Sequence, residues 1–190
     1  FYVTNHFRMK NKIKVSQDSF RYMGSNSLYS MLKCLYFCHG FRFTLFMRKS
    51  RSGFILFRPF YIMCYKILKV LYGFQMTYKM DVGKGFYLGH FGMVVINGKV
   101  KIGDNCNINQ GVTIGAENRG KRQGVPVIGN QVWIGANSVV VGNISIGNNV
   151  LIAPLTFVNF DVPDNSIVFG NPAKIKSDSQ ATKHYICNMV

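Results

Sequence analysis

The sequence predicts a mainly β fold, a parallel β-helix of hexapeptide repeats preceded by an α-helical segment. The first observation is an aliphatic residue at every sixth position between 128 and 158, without a slip. Neither an α-helix nor a single strand keeps that interval, whereas a β-helix uses six residues for one short strand and its corner. A small residue usually comes next, as a tight corner requires. The aliphatic positions are Ile128, Ile134, Val140, Ile146, Ile152 and Val158.

The second observation is that the same interval extends towards the N-terminus. It includes Val82, Leu88, Ile102, Ile108 and Ile114. A two-residue slip separates Val94 from Ile96, and a longer interruption over 116–126 predicts an excursion loop. An ordinary β-sandwich is the alternative, but its strands do not recur at a fixed interval of six. The residues that stand four positions after these aliphatic residues are small or β-branched, as a second inward position requires. They include Cys106, Val112, Val132, Ser138, Ile144, Val150 and Thr156.

These patterns divide the chain into three predicted parts. They are an α-helical N-terminal domain over 1–75, the β-helix domain over 76–170 and a C-terminal tail over 171–190. Apolar residues at intervals of three and four predict the first helix after candidate caps at Ser25 and Ser27. Those residues are Leu28, Met31, Leu32 and Leu35, and a later set that shares one helix face is Ile62, Met63, Ile67, Val70 and Leu71.

Several features bear on where the protein works. Gly40 is expected to end the first helix, and no helical segment contains about 18 consecutive uncharged residues, so no transmembrane helix is predicted. No apolar run follows the basic residues near the start, so no signal peptide is expected and the location predicted is cytoplasmic. Five cysteines, an odd number without metal-ligand spacing, predict reduced and mostly buried thiols.

The positive charge is unevenly distributed along the chain. The net charge is +16, and residues 1–80 hold 14 Lys and Arg against one acid, Asp18. Residues 81–190 hold 9 Lys and Arg against 6 acids. The N-terminal part therefore predicts an acidic neighbour, such as a polyanion or an anionic membrane, unless these charges lie on solvated helix faces. The many aromatic residues among them suit either a peripheral membrane contact or packing between subunits.

Only one of the four histidines, His90, lies in the repeat region, the others being His6, His39 and His184. This excludes the zinc-carrying β-helix carbonic anhydrases, which need several imidazole ligands from the coil, and we predict no metal site. A nucleic-acid binder has only basic charge in its favour, and the sequence contains no recognised motif for it. We therefore predict no nucleic-acid partner.

Three stretches of the chain resemble the hexapeptide-repeat acyltransferases. They are GHFGMVVINGKVKIGDNCNINQGVTIG, NRGKRQGVPVIGNQVWIGANSVVVGNISIGNNVLIA and DVPDNSIVFGNPAKI. Among these proteins, the chain is most similar to serine acetyltransferases and to the O-acetyltransferases of bacterial capsule and surface polysaccharides. The resemblance covers roughly 74–176. It implies a left-handed β-helix, acetyl-CoA as co-substrate and a homotrimer, with a dimer of trimers as a further form. Trp133, at an outward position, is expected to pack within that trimer.

The resemblance implies that His90, in the sequence Leu88-Gly89-His90-Phe91-Gly92, is the catalytic base. An imidazole within hydrogen-bond reach takes the proton of an acceptor hydroxyl as the oxygen attacks the thioester carbonyl, and then returns that proton to the CoA thiolate. The transfer is expected to be direct, without an acyl-enzyme. The oxyanion needs a donor, which we expect to be Asn109, Gln110 or a backbone N–H.

Three positions depart from the serine acetyltransferase pattern. Gln75 and Gly89 stand where those enzymes have aspartates, and Val125 stands where they have a second histidine. Each change removes a group suited to a charged amino acid or to polarising the base, so a sugar hydroxyl is favoured over serine. We expect Gln75 to orient His90 through its amide oxygen; a backbone carbonyl, Glu117 or an acid of the adjacent subunit are the alternatives.

The resemblance places acetyl-CoA in the groove between neighbouring β-helices. Small residues that would let the pantetheine arm approach the backbone are Gly115, Gly135, Ala136 and Ala153. Residues expected near the CoA phosphates are Arg119, Lys121 and Arg122 in the excursion loop and Pro172 and Lys174 in the turn that ends the coil. A solvated basic hairpin is the alternative for the excursion loop.

We therefore predict an acetyl-CoA-dependent O-acetyltransferase that acts on a sugar hydroxyl of a bacterial surface polysaccharide, as a small molecule or linked to lipid. The alternative within the same class is serine O-acetyltransferase. A non-catalytic β-helix that serves as a scaffold or binding module is the alternative from another class.

Overall fold

The structure is a computed structural model that describes residues 14–190. Helix α1 is described over 14–23. It is followed by α2 (Leu28–Phe37), α3 (His39–Ser52), a 3₁₀ turn (Ile55–Phe57) and α4 (Arg58–Leu71). The predicted cap at Ser27 is present, since its hydroxyl accepts a hydrogen bond of 3.1 Å from the backbone N–H of Ser30.

Fifteen short strands follow the helices in the described part of the chain. They are β1 (Phe74–Gln75), β2 (Asp81–Val82), β3 (Tyr87–Leu88), β4 (Val94–Ile96), β5 (Lys101–Ile102), β6 (Asn107–Ile108), β7 (Thr113–Gly115), β8 (Val127–Ile128), β9 (Val132–Ile134), β10 (Val139–Val141), β11 (Ser145–Ile146), β12 (Val150–Ile152), β13 (Phe157–Val158), β14 (Ser166–Phe169) and β15 (Lys174–Ser177). Strands β1 to β14 form a parallel β-helix of about five turns with three faces. Face A contains β1, β4, β7, β10 and β13; face B contains β2, β5, β8 and β11; face C contains β3, β6, β9, β12 and β14, to which β15 adds in the antiparallel direction.

The hexapeptide pattern correctly predicted the core of this β-helix. None of the eleven aliphatic residues at the six-residue interval is more than 4% exposed. The second set of predicted inward positions, from Cys106 to Thr156, is buried to the same degree. One boundary differs from the prediction: β1 lies inside the segment 1–75 expected to be helical, because Phe74 and Gln75 pair with β4.

Helix α3 anchors the helical part to the β-helix. Gly40, which was expected to end a helix, is instead the second residue of α3, and the break falls at Cys38. A Cβ atom on Gly40 would lie 2.1 Å from the carbonyl oxygen of Leu88, so only glycine permits this approach. Nearby, buried Arg48 pairs with Asp18 of α1 at 2.5 Å and donates to the carbonyl oxygen of Gly83.

The C-terminal tail returns along the β-helix, and we call residues 178–190 the C-terminal strap. The hydroxyl of Thr182 donates to the Asn149 side chain at 2.6 Å, one turn from the end of the coil. Further along, the Tyr185 ring packs on Trp133 at 4.9 Å between centroids. The strap ends against Asn105, whose side chain bonds to Val190 twice, at 2.7 and 2.9 Å. Trp133, expected to pack between subunits, is therefore covered by a segment of its own chain.

Two further predictions concern the cysteines and the membrane. All five cysteines are free thiols, as predicted, although only Cys34 and Cys106 are fully buried. Within residues 14–190, none of the helices combines the length and the apolar character that crossing a bilayer would require.

Candidate functional site

His90 lies on a turn that is two residues longer than its equivalents. Leu88 is level with Ile108, and Ile96 is level with Ile114. Eight residues therefore separate the first pair of core positions along the chain, where six separate the second. The two-residue slip seen in the sequence is thus accommodated in the turn between faces C and A. This turn projects from the coil, and the His90 side chain is exposed.

The strands of face C are stacked in register, so the residues that follow each strand form one edge of the β-helix, and the His90 turn belongs to this edge. Backbone hydrogen bonds join each turn of the β-helix to the next along this edge. The N–H of Gly89 donates to the Ile108 carbonyl at 3.4 Å, and the N–H of Gly135 donates to the Ile152 carbonyl at 2.8 Å. We call this corner the His90 edge. It brings together seven residues that the sequence predicted for the site: Gly89, His90, Asn109, Gln110, Gly135, Ala136 and Ala153.

Two glycines on the His90 edge differ in their surroundings. A Cβ atom on Gly135 would lie 2.5 Å from the backbone nitrogen of Pro154, so glycine is required there for the corners to stack. A Cβ atom on Gly89 would meet nothing closer than 3.4 Å, from the side chains of Asn109 and Tyr87. Gly89 therefore leaves room for a side chain, whereas Gly135 does not.

A second group of predicted residues lies at the opposite side of face A, where the chain passes to face B. Gln75 and Gly115 line an open cleft of about 400 Å³ there, together with Lys69, Asn97 and Gly98. Among the described residues, neither the Gln75 side chain nor the His90 imidazole has a hydrogen-bond partner, so the structure does not join them. Face A lies between the two groups within one chain.

The excursion loop begins at this second side of face A and is a hairpin, a form that fits both readings of its basic residues. Glu117 and Gly124 exchange backbone hydrogen bonds of 2.9 and 3.0 Å. The base of the loop is held by an ion pair of 3.5 Å between Arg122 and Asp161, both well exposed. Arg119 and Lys121 are exposed on the hairpin, on the opposite side of face A from His90.

The remaining predicted residues differ in position. Pro172, in the turn between β14 and β15, and Lys174, the first residue of β15, are exposed one level beyond Ala153 at the end of the His90 edge. Val125, which stands where a second histidine was expected in serine acetyltransferases, is half-buried and packs against the core of the β-helix.

Sequence reasoning gave no role to His39, which lies beside the His90 turn. The His39 ring is 5.2 Å from the ring of Phe91 and 5.3 Å from that of Tyr72. The backbone N–H of Gly92 donates to the Tyr72 carbonyl at 2.8 Å, which ties the turn to the end of α4. No periodic signal links these residues, because the packing of α3 against β3 brings them together.

The electrostatics of the His90 edge are simple. One N–H of the Asn109 side-chain amide donates to the Ile134 carbonyl at 2.8 Å, which leaves its second N–H for a ligand. Gln110 is exposed at the level above His90, and its side chain has no hydrogen-bond partner among the described residues. The seven residues of this edge include no carboxylate. The arrangement suits a base that acts on a neutral hydroxyl, with Gln110 as a donor.

Comparisons with known proteins agree with this architecture. Residues 126–159 match the family model described as bacterial transferase hexapeptide (six repeats). The chain is 36% identical over 107 residues to a serine acetyltransferase of Synechococcus elongatus, which covers 56% of this chain and 44% of that protein. It is 38% identical over 119 residues to a protein of Escherichia coli K12 named as a colanic acid biosynthesis acetyltransferase, WcaB, which covers 62% of this chain and 72% of that protein.

Among solved structures, the serine acetyltransferase of Neisseria gonorrhoeae in complex with serine superposes with a TM-score of 0.68 at 26% identity. The match covers 89% of this chain and 70% of that one. The chain spans less than half the length of the Synechococcus relative.

Proposed function

Because the chain belongs to the hexapeptide-repeat acetyltransferases, we propose that it transfers an acetyl group from acetyl-CoA to an acceptor hydroxyl, with His90 as general base. The observation that carries the proposal is the position of His90. Its imidazole is exposed on a widened turn, at an edge lined with small residues and without a competing hydrogen-bond partner among the described residues.

In the proposed reaction, His90 removes the hydroxyl proton while the oxygen attacks the carbonyl carbon of the thioester. The tetrahedral intermediate then expels the CoA sulfur, which takes the proton from the imidazolium, so the products are an acetyl ester and free CoA thiol. Gln110 is the better side-chain donor to the oxyanion, because both N–H groups of its amide are uncommitted among the described residues, whereas one N–H of Asn109 is bonded to the Ile134 carbonyl.

A homotrimer with acetyl-CoA between neighbouring β-helices is part of the proposal. In one chain, His90 and the group around Gly115 lie at opposite sides of face A. A cofactor that touches both groups needs the second one from a neighbouring copy. The excursion-loop cations Arg119 and Lys121 would then meet the phosphates of a CoA molecule bound to the next subunit. The orientation of His90 by Gln75 stays a prediction. It would require the Gln75 side chain of a neighbouring subunit, which approaches His90 in the same way as the group around Gly115.

Serine is the first candidate acceptor, because serine acetyltransferases predominate among the similar sequences and structures. A sugar hydroxyl is the second candidate, and two observations favour it. The His90 edge has no carboxylate to pair with the ammonium group of serine, since Gly89 replaces the expected aspartate. In addition, this chain covers nearly three quarters of the relative named for colanic acid biosynthesis, but less than half of the Synechococcus serine acetyltransferase.

The test is release of CoA thiol from acetyl-CoA in the presence of serine or of a panel of free sugars. The His90→Ala variant should lose about 10²- to 10⁴-fold in rate, the usual contribution of a general base. Turnover with serine alone supports the first candidate, and turnover with a sugar alone supports the second. A His90→Ala variant that keeps the full rate would overturn the proposed role of His90.

Gly89→Asp separates the two acceptors further, with Gly89→Ala as the matched control for backbone and volume. The Cβ atom that both substitutions add at Gly89 meets only ordinary contacts, from 3.4 Å outwards. If serine is a weak acceptor only because the carboxylate is missing, Gly89→Asp should lower KM for serine while Gly89→Ala does not. An unchanged KM in both variants would show that serine recognition does not depend on this position.

A further inference from the structure

The outer surface of the helical part is apolar, although nothing in the described chain covers it. On α2, the exposed positions recur at intervals of one, three and four, so they form one helix face. On α4, Tyr65 is 3% exposed on the inner side, whereas Val70 is 83% exposed on the outer side. We call this surface the outer apolar face. It consists of Leu28, Tyr29, Leu32, Tyr36 and Phe37 of α2, Ile55, Leu56 and Phe57 of the 3₁₀ turn, and Phe60, Met63, Ile67, Val70 and Leu71 of α4, all more than half exposed.

Arg42 of α3 holds the ends of the two helices together. Its guanidinium donates to the Leu35 carbonyl at 2.8 Å and to the Tyr72 hydroxyl at 2.6 Å, and it also bonds to the Tyr36 carbonyl. The same end of the surface adjoins the His90 turn, where Phe91 and Met93 are 59% and 76% exposed. Single exposed apolar residues are ordinary, but a cluster of this kind marks a binding surface.

The charge around the outer apolar face indicates what binds there. Residues 14–80 contain eleven Lys and Arg but only one acid, Asp18, which is fully buried and paired with Arg48. Lys33 on α2 and Lys66 on α4 are exposed among the apolar residues, and Lys69 is half-buried. The described helical part therefore presents cations and apolar groups without an exposed carboxylate.

This charge pattern argues against a second copy of the chain as the main occupant. A copy docked by the same face would bring like charges together, and the β-helix part offers little in return, because residues 81–190 are also net positive. An anionic lipid surface has the complementary charge. Tyr rings favour the headgroup level of a bilayer, Phe rings suit the apolar face of an interfacial helix, and Lys side chains can extend towards the lipid phosphates.

We propose that the outer apolar face binds the surface of an anionic phospholipid bilayer, with α2 and α4 lying in the interface. Helices of 10 and 14 residues are long enough for this role, and it requires no membrane-spanning segment. Bound in this way, the protein holds the His90 turn close to the headgroup layer. The proposal does not depend on the identity of the acceptor or on catalysis.

Co-sedimentation of the purified full chain with vesicles tests this proposal. Vesicles of phosphatidylcholine alone are compared with vesicles that also contain phosphatidylglycerol, at low and at high salt. We expect binding only to the anionic vesicles, and weaker binding as salt rises. Lys33→Glu with Lys66→Glu should weaken binding by at least about ten-fold, because each cation near the surface contributes about five-fold.

A second variant removes the apolar contribution, with Met63, Ile67 and Val70 each changed to Glu. These side chains are exposed, so the variant should fold and should lose binding at all salt concentrations. Val127→Glu, on face B and 47% exposed, is the control for adding a carboxylate at an exposed apolar site and should bind as the wild type does.

Three results would overturn the proposal. The first is equal binding to neutral and anionic vesicles, and the second is no binding to either. The third is a fall in the solution mass of the triple-Glu variant while its vesicle binding is unchanged, which would assign the outer apolar face to another copy of the chain.

Discussion

The β-helix buries its apolar side chains in its own core, whereas the helical part exposes many of them on its outer surface. In the β-helix, the aliphatic side chains of the repeat point inwards, and Ile134 is fully buried. In the helical part, α3 supplies the buried contacts through residues such as Phe43, whereas α2 and α4 turn many apolar side chains outwards. The difference shows that the β-helix buries its core within one chain. The helical part needs something outside the described chain to cover its surface.

The largest expected contrast is in thiol reactivity, between the buried core of the β-helix and the exposed C-terminal strap. Burial raises the pKa of the Cys106 thiol to about 12, from an ordinary value near 9, and the inside of the β-helix excludes reagents. Cys187, on the strap, is exposed. Iodoacetamide at pH 8 should therefore modify Cys187 in the native protein and leave Cys106 unmodified until the chain unfolds, as peptide mass spectrometry would show.

The same raised pKa has a consequence for stability. Above about pH 9 the unfolded chain loses the Cys106 proton while the folded chain keeps it, so this group lowers the free energy of unfolding as the pH rises towards 12. Cys106→Ala should remove that part of the pH dependence. Modification of Cys106 in the native protein at the same rate as Cys187 would contradict the burial of this position.

Matched truncations test the two regions directly. Ile134→Ala removes a buried side chain from the β-helix and should lower the free energy of unfolding by about 2–5 kcal/mol. Ile67→Ala, on the outer apolar face and 57% exposed, should change it by less than about 0.5 kcal/mol. Urea unfolding followed by circular dichroism measures both. A comparable loss in the two variants would mean that the face around Ile67 is already covered in solution.

Two glycines of the His90 edge allow a finer comparison within one region. Gly135→Ala forces a Cβ atom towards the backbone of the next turn and should lower the free energy of unfolding by about 1–3 kcal/mol. Gly89→Ala meets only ordinary contacts and should leave the melting temperature nearly unchanged. Calorimetry of both variants would distinguish a glycine needed for stacking from one that leaves the site open. Equal melting temperatures would show that the corners can separate at no cost.

The sequence predicts the β-helix better than the helical part for a physical reason. Each turn repeats the same environment, so every sixth residue faces the core and the interval itself identifies residues such as Ile114. In a helix, the spacing of apolar residues groups them on one face but does not show whether that face is buried or exposed. The residues grouped on α4 by their spacing include Met63 and Ile67, which face outwards, while the core contact comes from Tyr65. Tertiary packing, not periodicity, decides which face is buried.

The candidate site also contains residues that the repeat predicts and residues whose positions depend on tertiary packing. His90, Asn109 and Gly135 follow the repeat, so their shared edge is predictable once the interval is known. The relation of Gln75 to His90 was inferred by resemblance, and within one chain the structure does not bring the two together. His39 could not be predicted, because its contact with Phe91 depends on how α3 packs against β3. The position of the C-terminal strap could not be predicted either, because the residues it contacts lie far from it in the sequence.

The smallest expected effect concerns that strap, which joins the end of the chain to both regions. The Tyr185 ring covers Trp133, the only tryptophan of the protein, and Arg21 of α1 bonds to the Cys187 carbonyl. Tyr185→Ala should lower the free energy of unfolding by about 0.5–1.5 kcal/mol, the usual contribution of an aromatic pair. It should also shift the Trp133 emission to longer wavelength, because the indole becomes exposed to water. Tyr185→Phe keeps the ring and should restore both values. An emission maximum that stays the same in Tyr185→Ala would mean that the strap does not lie on the β-helix in solution. The helical part would then be joined to the β-helix by α1, α3 and α4 without the strap.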